Sequence, residues 1–287
     1  MVLHHPDTTL LRAQYDAVRG QVHAVLYVDN SAGQAALAGA GMATGDGLVL
    51  IGDGVNVGLA AALNHGLADV AAHGAGFALL LDQDSIPDPG MVATLHRLLT
   101  AGSPSGHPVA AIGPAIVDEL HGRTEYFARL RLPLNHRIHP SPDAPASFEV
   151  DFLITSGTLL PLSVLDAVGG MDENLFIDSI DFDWSFRATD HGYALLATFA
   201  TTMRHRRGDE LHRVGPLSLR LHSPFRLFYM YRNRVRLYRR GYVPAAWKVH
   251  DLGRMLVKMV LLAVFVPGRA KNLSAIWRGI YQGLRTR

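Results

Sequence analysis

The sequence contains no cysteine, which excludes disulfide bonds and metal sites built on thiolates. Although 48% of the 287 residues are hydrophobic, no apolar run reaches the roughly 18 residues that a membrane span needs. Residues 1–7 have neither a basic start nor an apolar core, so no signal peptide is expected. Only 18% of the residues are charged, and this composition at this length favours one large globular domain with a smaller appendage.

Charge is distributed unevenly along the chain. Residues 1–199 contain 8 Arg and Lys against 22 Asp and Glu, whereas residues 200–287 contain 19 against 3. The basic part suits an anionic partner such as a phospholipid, a pyrophosphate-linked lipid or a nucleic acid. Arginines interleaved with aromatic residues can bind single-stranded nucleic acid. The acidic majority of the chain would repel such a polyanion, so we disfavour a nucleic-acid binder.

Apolar strands alternate with helices over the first 200 residues, which predicts an α/β fold with a doubly wound, mostly parallel sheet. From Pro224 onward the sequence becomes helical, basic and aromatic, so we place a boundary between residues 1–222 and 223–287. Only Val2 and Leu3 precede a polar turn, so the first strand is either a stub or begins upstream. The predicted strands are 22–29, 48–51, 77–81, 109–116, 150–160 and 193–199, the predicted helices are 56–72, 89–101 and 162–168, and residues 118–147 are predicted to form a loop or hairpin over the active site.

Asp82 and Asp84 directly follow the apolar strand 77–81. Ligands of open α/β sheets bind outside the carboxyl ends of the strands. Two carboxylates at such a position suit a divalent cation, which can in turn hold phosphate groups. The alternative is a turn followed by a helix cap, where Asp is also favoured. The apolar strand before the pair and Ser85 and Pro87 after it favour the metal site.

Asp29 ends another predicted strand at the same edge of the sheet. Its carboxylate can accept a hydrogen bond from a pyrimidine base or a ribose hydroxyl. The alternative is a turn that the Asp side chain closes by bonding its own backbone. Considered alone, the residue favours the turn.

A second acidic cluster comprises Asp178, Asp181 and Asp183, which lie among aromatic and aliphatic residues. Neighbouring like charges and an apolar environment both raise a carboxyl pKa, which is how a general base is tuned. On a helix, Asp183 and Arg187 are four residues apart and can pair, which leaves Asp181 oriented differently. The alternative is a solvated helix start that favours acidic residues because of the helix dipole.

His205 follows the last predicted strand and is flanked by arginines that include Arg206. An imidazole there can complete a metal site, and the arginines can hold phosphate. The alternative is a basic turn on the surface.

Five segments in this order resemble family 2 glycosyltransferases of the GT-A fold. They are VDN at 28–30, NVGLAAALNHG at 56–66, LLLDQDS at 79–85, the segment 156–193 that contains FIDSIDFDW, and MRHRRGD at 203–209. The DQDS and FIDSIDFDW segments are most similar to the bacterial rhamnosyltransferases that build O-antigen and related cell-surface polysaccharides. The resemblance extends from about residue 2 to residue 240. It implies that residues 1–222 form a nucleotide-sugar-binding catalytic domain.

The resemblance implies a role for each site residue. Asp181 is the implied catalytic base, because it precedes Arg187 by six residues. Ile180 stands where many relatives have Glu, so Asp178 and Asp183 remain alternative bases. The other implied roles are donor binding by Asp29, Asn56, Asp82, Asp84 and Arg206, coordination of Mg²⁺ or Mn²⁺ by Asp84 and His205, and acceptor contact or support by Asp178, Asp183, Trp184 and Arg187.

The implied reaction is an inverting, metal-dependent transfer of a sugar, with L-rhamnose from dTDP-rhamnose as the expected donor. The acceptor would be a cell-surface glycan or a polyprenyl-linked glycan. The alternative function is nucleotidyl or other phosphoryl transfer, which also uses strand-end carboxylates and a metal ion. Such an enzyme would normally carry a basic glycine-rich loop near the first strand, and Arg19-Gly20 is a poor candidate for one.

The C-terminal region interleaves aromatic residues and arginines over 223–240 and is mostly apolar over 252–266. A basic helix with aromatic anchors can lie in the interface of an anionic membrane. We therefore expect a cytoplasmic protein that is peripheral on the cytoplasmic face of the bacterial inner membrane. The alternatives are a helical appendage free in the cytosol and an interface between copies of a homo-oligomer.

Overall fold

Two sheets carry the candidate functional residues in the computed structural model, which describes residues 1–45, 47–118, 122–205, 211–214, 217–266 and 268–285. The first sheet contains three parallel strands in the order β1 (Val2–Leu3), β2 (Val25–Asp29) and β3 (Leu48–Ile51). Its strands are short and apolar, as expected for a parallel sheet whose faces are both covered. Helices α1 (Thr8–Val18) and α2 (Gly33–Gly39) connect them. β1 is a stub of two residues.

The second sheet contains seven strands. Its main path has the order β10-β12-β6-β11-β4, while β5 pairs with β12 and β7 pairs with β6. The β6–β12 pair is parallel, and the other pairs of this sheet are antiparallel. The strand bounds are β4 (Phe77–Leu79), β5 (Ser85–Pro87), β6 (Val109–Asp118), β7 (Arg123–Thr124), β10 (Phe148–Val150), β11 (Leu159–Pro161) and β12 (Ala194–His205). Helices α3 (Leu59–Ala72), α4 (Met91–Thr100), α5 (Val164–Val168) and α6 (Ile180–Asp190) accompany the sheets.

An irregularity in β12 lies opposite a proline. Thr198 pairs with Pro114 of β6, but the next pair along is Thr202 with Ala115, so residues 199–201 have no counterpart in β6. Proline has no backbone N–H to donate, which is why it is confined to strand edges and bulges. Beyond the irregularity, β12 pairs with β6 and β5 together, and His205 lies opposite Ser85.

The predicted α/β fold with a helical C-terminal region is confirmed, and several element bounds differ from the sequence predictions. We predicted one strand over 150–160. In the structure β10 ends at Val150 and β11 begins at Leu159, and the loop between them includes Gly157 at φ 85°. The helix predicted from Asn56 begins at Leu59, because the Asn56 side chain accepts the Gly58 N–H and closes a turn instead. The last predicted strand continues past Phe199 to His205.

The segment 118–147, which we predicted as a loop or hairpin, contains the antiparallel hairpin β8 (Phe127–Arg129) and β9 (His136–Ile138). A separate hairpin is formed by β13 (Leu211–Val214) and β14 (Leu217–Arg220).

The C-terminal region contains α7 (Pro224–Tyr238), α8 (Ala245–Phe265) and α9 (Arg269–Arg285). Helices α7 and α9 approach closely at two glycines: a Cβ on Gly279 would lie 2.4 Å from Phe228 O, and one on Gly283 would lie 2.6 Å from Arg232 O. Trp247 of α8 is completely buried in the core that also contains α6. In the described part of the chain, no helix has the length and hydrophobicity that crossing a membrane requires.

Candidate active site

A cluster of three potential metal ligands lies where β4 and β12 end. Asp82 and Asp84 follow β4, and the β5–β12 pairing brings His205 beside them from the far end of the domain. One ligand atom from each of the three side chains lies within 4.8 Å of the others. Two carboxylates and an imidazole form a donor set that suits Mg²⁺ or Mn²⁺. The structure thus brings Asp84 and His205, the two implied metal ligands, together with Asp82, for which the resemblance implied donor binding.

Two serines organise this cluster. The hydroxyl of Ser85 lies 2.8 Å from Nδ1 of His205 and 2.7 Å from the hydroxyl of Ser156. Ser156 Oγ in turn accepts a hydrogen bond from the Asp82 backbone N–H at 2.9 Å. Both serines are buried. A hydrogen bond to the second ring nitrogen is the usual way in which a protein orients a metal-binding histidine.

The surroundings of Asp82 disfavour its negative charge. Burial raises the pKa of its carboxyl group, and the nearby Asp84 adds to that rise, while His205 opposes it. A cation bound at the cluster would favour the charged form of both carboxylates. The arrangement of these three side chains therefore suits a cation.

Asp29 and Asn56 lie at the neighbouring edge, after β2 and before α3. The Asp29 carboxylate accepts the backbone N–H groups of Ser31 at 3.0 Å, Gly33 at 2.7 Å and Gln34 at 3.2 Å. These are the bonds of the turn that the sequence analysis weighed as the alternative role, and they hold the start of α2. Asn56 bonds to Asn30 at 3.1 Å, which joins the two loops.

Asp183 and Asp178 of the second acidic cluster are both engaged in ion pairs. Asp183 is completely buried and bonds to Arg187 at 2.9 Å and also to Arg240 and Tyr242. Asp178 receives a bidentate contact from Arg226 of α7, at 3.1 to 3.3 Å. Both carboxylates are thus held by arginine side chains from other parts of the chain or the same helix.

Asp181 differs from both, since it makes no ion pair with the residues that the structure describes. It lies in the first turn of α6, and its carboxylate accepts the Phe182 backbone N–H at 2.9 Å. Burial raises its pKa to about 6, and the charges of Asp178 and Asp82 add to the rise. A carboxylate with a pKa close to neutral is suited to general base catalysis.

Trp184 and Arg187 support a loop rather than line an open site. Trp184 Nε1 donates to Gly169 O at 3.1 Å, while Arg187 donates to Val168 O at 2.6 Å and to Gly170 O at 2.7 Å. These bonds fix the loop that precedes the acidic cluster. Arg206, for which donor binding was predicted, lies outside the described residues.

A cavity of about 830 Å³ lies beside the cluster. It reaches Ser156, which contacts Asp82, and Phe182, the neighbour of Asp181. Its walls are rich in aromatic residues, and the predicted hairpin over the site forms one of them. The lining residues include Tyr126, Phe127, Arg137, Phe152, Ser156 and Phe182.

No family model matches the chain. Over 235 residues the chain is 26% identical to the dTDP-rhamnosyl transferase RfbF of Shigella flexneri, covering 81% of this chain and 77% of the relative. A crystal structure of GalNAc-T7 with UDP, GalNAc and Mn²⁺ matches with a TM-score of 0.61 at 14% identity, over 91% of this chain. The chain spans only about half of that protein, 52%. The mannosyltransferase PcManGT from Pyrobaculum calidifontis, in complex with GDP-Man and Mn²⁺, matches with a TM-score of 0.53 at 13% identity, over 99% of this chain and 86% of that one.

The fold is that of GT-A glycosyltransferases. The resemblance to rhamnosyltransferases that the sequence motifs indicated is also confirmed, by the Shigella relative. The candidate metal ligands lie after β4 and at the end of β12, and Asp181 lies in the first turn of α6.

The sequence analysis missed several residues of this GT-A site. Arg240 and Tyr242 bind Asp183 from 57 and 59 residues further along the chain, a separation at which no local pattern indicates pairing. The roles of Ser85 and Ser156 were missed as well. A signal existed for Ser85, because a small polar residue directly after two candidate metal ligands can orient a third.

Proposed function

We propose that this GT-A protein is an inverting, metal-dependent glycosyltransferase, with L-rhamnose from dTDP-rhamnose as its donor. The observation that carries the proposal is the cluster of Asp82, Asp84 and His205 near Asp181, whose carboxylate makes no ion pair with the described residues. The choice of donor rests on the relative from Shigella flexneri, a dTDP-rhamnosyl transferase. The acceptor in this proposal is a cell-surface glycan or a polyprenyl-linked glycan.

Asp82, Asp84 and His205 would hold Mg²⁺ or Mn²⁺, and the bound ion would neutralise charge on the departing nucleoside diphosphate. Asp29 and Asn56 would contact the nucleotide at the adjoining edge. Arg206 would also contact the donor, which is a prediction from its position next to His205.

Asp181 would accept the proton of the acceptor hydroxyl. The acceptor oxygen then bonds to the anomeric carbon as the bond from that carbon to the diphosphate oxygen breaks, which inverts the configuration. With a pKa of about 6, Asp181 is mostly ionised at neutral pH and still basic enough to take a proton in the transition state. The cavity that reaches Phe182 would admit the acceptor.

Donor binding and turnover test the proposal. We expect one sugar nucleotide from a panel of dTDP, UDP and GDP sugars to bind and be hydrolysed or transferred with Mn²⁺, and we expect Asp84→Ala to abolish this. Asp53→Ala is the matched control, since Asp53 is an exposed carboxylate that follows a strand of the first sheet. If no sugar nucleotide is bound or turned over and Asp84→Ala changes nothing, the proposal is wrong. Incorporation of a nucleotidyl group into product would instead support phosphoryl transfer.

We further propose that the protein is peripheral on an anionic membrane, on the cytoplasmic face of the inner membrane. Five apolar residues of α8 are each about half exposed, between 49% and 58%, and their spacing of three or four residues forms one stripe. They are Val249, Leu252, Leu256, Val260 and Val264. Trp277 and Tyr281 of α9 are similarly exposed, and Arg254 and Lys258 of α8 line a surface groove together with Val249. An amphipathic surface of this kind, with basic residues and aromatic anchors, suits an anionic interface.

Vesicle flotation tests this location. The protein should float with vesicles that contain anionic phosphatidylglycerol and much less with neutral vesicles, and Leu256→Glu with Val260→Glu should abolish flotation. The double variant Val55→Glu with Val57→Glu, at exposed positions of a turn, is the control. Equal flotation of all variants would contradict the proposal. A dimer in solution that only the α8 variant dissociates would assign the stripe to a homo-oligomer instead.

A further inference from the structure

The loop that leads into α6 has an unusual backbone. Phe176, Asp178 and Ser179 all have positive φ, at 63°, 64° and 65°, although none of them is glycine. Phe176 also forms the centre of a three-residue turn, in which the Ile177 N–H donates to Leu175 O at 2.7 Å. Such conformations are strained and persist only where the surroundings fix them.

Asn233 of α7 fixes this loop from one side, next to Arg226, which pairs with Asp178, and Arg236, which donates to Asn174 O. Its side chain is completely buried, and its amide nitrogen lies 2.9 Å from Leu175 O, 2.7 Å from Ile177 O and 2.9 Å from Asp178 O. The two N–H donors of a single side chain are therefore shared among three carbonyls of the strained loop.

Arg232 orients the Asn233 amide. Its Nε donates to Asn233 Oδ1 at 2.9 Å, so the amide oxygen faces Arg232 and the NH₂ group faces the loop. The same guanidinium donates to Asn174 O at 2.7 Å and to Leu175 O at 2.9 Å. Together these two side chains contact four carbonyl oxygens of the loop, those of residues 174, 175, 177 and 178.

The loop is fixed from the other side by the first turn of α3. Phe176 O accepts the N–H groups of Leu59 at 2.7 Å and Ala60 at 3.3 Å. A Cβ on Gly58 would lie 2.5 Å from the Phe176 ring, so the two segments are in close contact. At its C-terminal end the loop leads through Ser179, the residue before α6, to Asp181.

From these contacts we infer that Asn233 is a positioning residue for sugar transfer: it sets the loop 175–179 and thereby places Asp181 relative to the donor edge of the site. This inference rests on the proposed function, in which Asp181 is the base. It also assigns α7, a helix of the C-terminal region, to the catalytic machinery. A displacement of about 1 Å at a reacting group can cost on the order of 100-fold in rate.

Asn233→Asp tests the inference, because it keeps the size of the side chain and removes its NH₂ donor. We expect kcat to fall on the order of 100-fold, with donor affinity within about threefold of the wild type. A displaced Asp181 would change the burial and the neighbouring charges that set its raised pKa, so the acid limb of the kcat profile should shift as well. Arg232→Lys, which loses the orienting bond but keeps the charge, should show a smaller change in the same directions.

Tyr231→Phe is the matched control. Tyr231 is the buried neighbour on the same helix, and its hydroxyl donates to Met255 O at 3.0 Å, away from the loop. This variant should lose stability with kcat and the pH profile unchanged. Wild-type kcat and pH profile in folded Asn233→Asp would overturn the inference, as would equal losses of kcat in Tyr231→Phe.

Hydrogen exchange separates this inference from the proposed function. Exchange of the peptide spanning residues 174–183 should become faster in Asn233→Asp and remain unchanged in Tyr231→Phe. This result does not depend on turnover. Absence of any transfer by the wild type would therefore count against the proposed function, whereas unchanged exchange in Asn233→Asp would overturn the role of Asn233.

Discussion

Replacing Asp181 by Asn should remove activity and make the protein more stable at neutral pH. The structure places this carboxylate in a partly buried position without an ion pair among the described residues, and burial raises its pKa from 3.8 to about 6. The folded chain therefore binds this proton more tightly than the unfolded chain does. Stability is lost as pH rises between about 4 and 6, because the folded state must then carry a charge in a poorly solvated position.

The magnitude follows from the size of the shift. A change of one pKa unit corresponds to about 1.4 kcal/mol, so a rise from 3.8 to about 6 corresponds to at most about 3 kcal/mol at pH 7. Asn cannot ionise, and its amide oxygen can still accept the Phe182 N–H. The free energy of unfolding of Asp181→Asn should equal that of the wild type near pH 4 and exceed it by about 1 to 3 kcal/mol at pH 7.

Urea unfolding at a series of pH values between 4 and 8, with EDTA present, measures this difference. Asp53→Asn is the control for the loss of one exposed carboxylate. Parallel stability curves for the wild type and Asp181→Asn would refute the argument that burial tunes this group. Full transfer activity in Asp181→Asn would refute its role as the base and reopen the roles of Asp178 and Asp183.

Two further predictions concern neighbouring groups. Asp183→Asn should lower the free energy of unfolding by about 3 kcal/mol, because it removes the charge of a completely buried carboxylate that partly buried Arg187 and Arg240 share. Thermal unfolding should register this as a fall of roughly 6–12 °C, and substantial kcat in the folded variant would confirm that Asp183 is structural. Ser85→Ala should weaken Mn²⁺ binding about tenfold by releasing the His205 ring. Calorimetric titration with Mn²⁺ measures the effect, and an unchanged affinity would show that the ring is held by other contacts.

The strand ends could be predicted from the sequence because parallel strands bring their carboxyl ends to one edge. The rule predicted Asp82 and Asp84 after one apolar strand and Asp29 at the end of another, although β4 pairs antiparallel with β11 and lies in a different sheet from β2. It could not assign roles to the three carboxylates of the second cluster. They lie within six residues, and what distinguishes them is the direction in which each side chain points. Residues two apart on a helix point about 200° from each other, so Asp183 faces the core while the partly buried Asp181 points away from it.

The partners of those residues could not be predicted, because they come from distant segments. Asp183 depends on Arg240, and the loop before Asp181 depends on Asn233, both on the C-terminal side of the boundary drawn from composition. The arginines over 223–240 suggested a surface for anions. Instead, Arg232 donates to Asn174 O and Arg240 bonds to Asp172, so both contact the segment before α6. Local composition does not distinguish an exposed basic stripe from a set of internal hydrogen-bond donors.

The irregularity at residues 199–201 has a consequence for how this enzyme can tolerate insertions and deletions. Side chains alternate between the two faces of a strand, so a shift of one residue exchanges inward and outward positions. Removing one residue there would turn His205 away from Asp82 and Asp84, whereas removing two would restore its direction. The length of this short segment therefore sets whether His205 joins Asp82 and Asp84 in the candidate metal cluster.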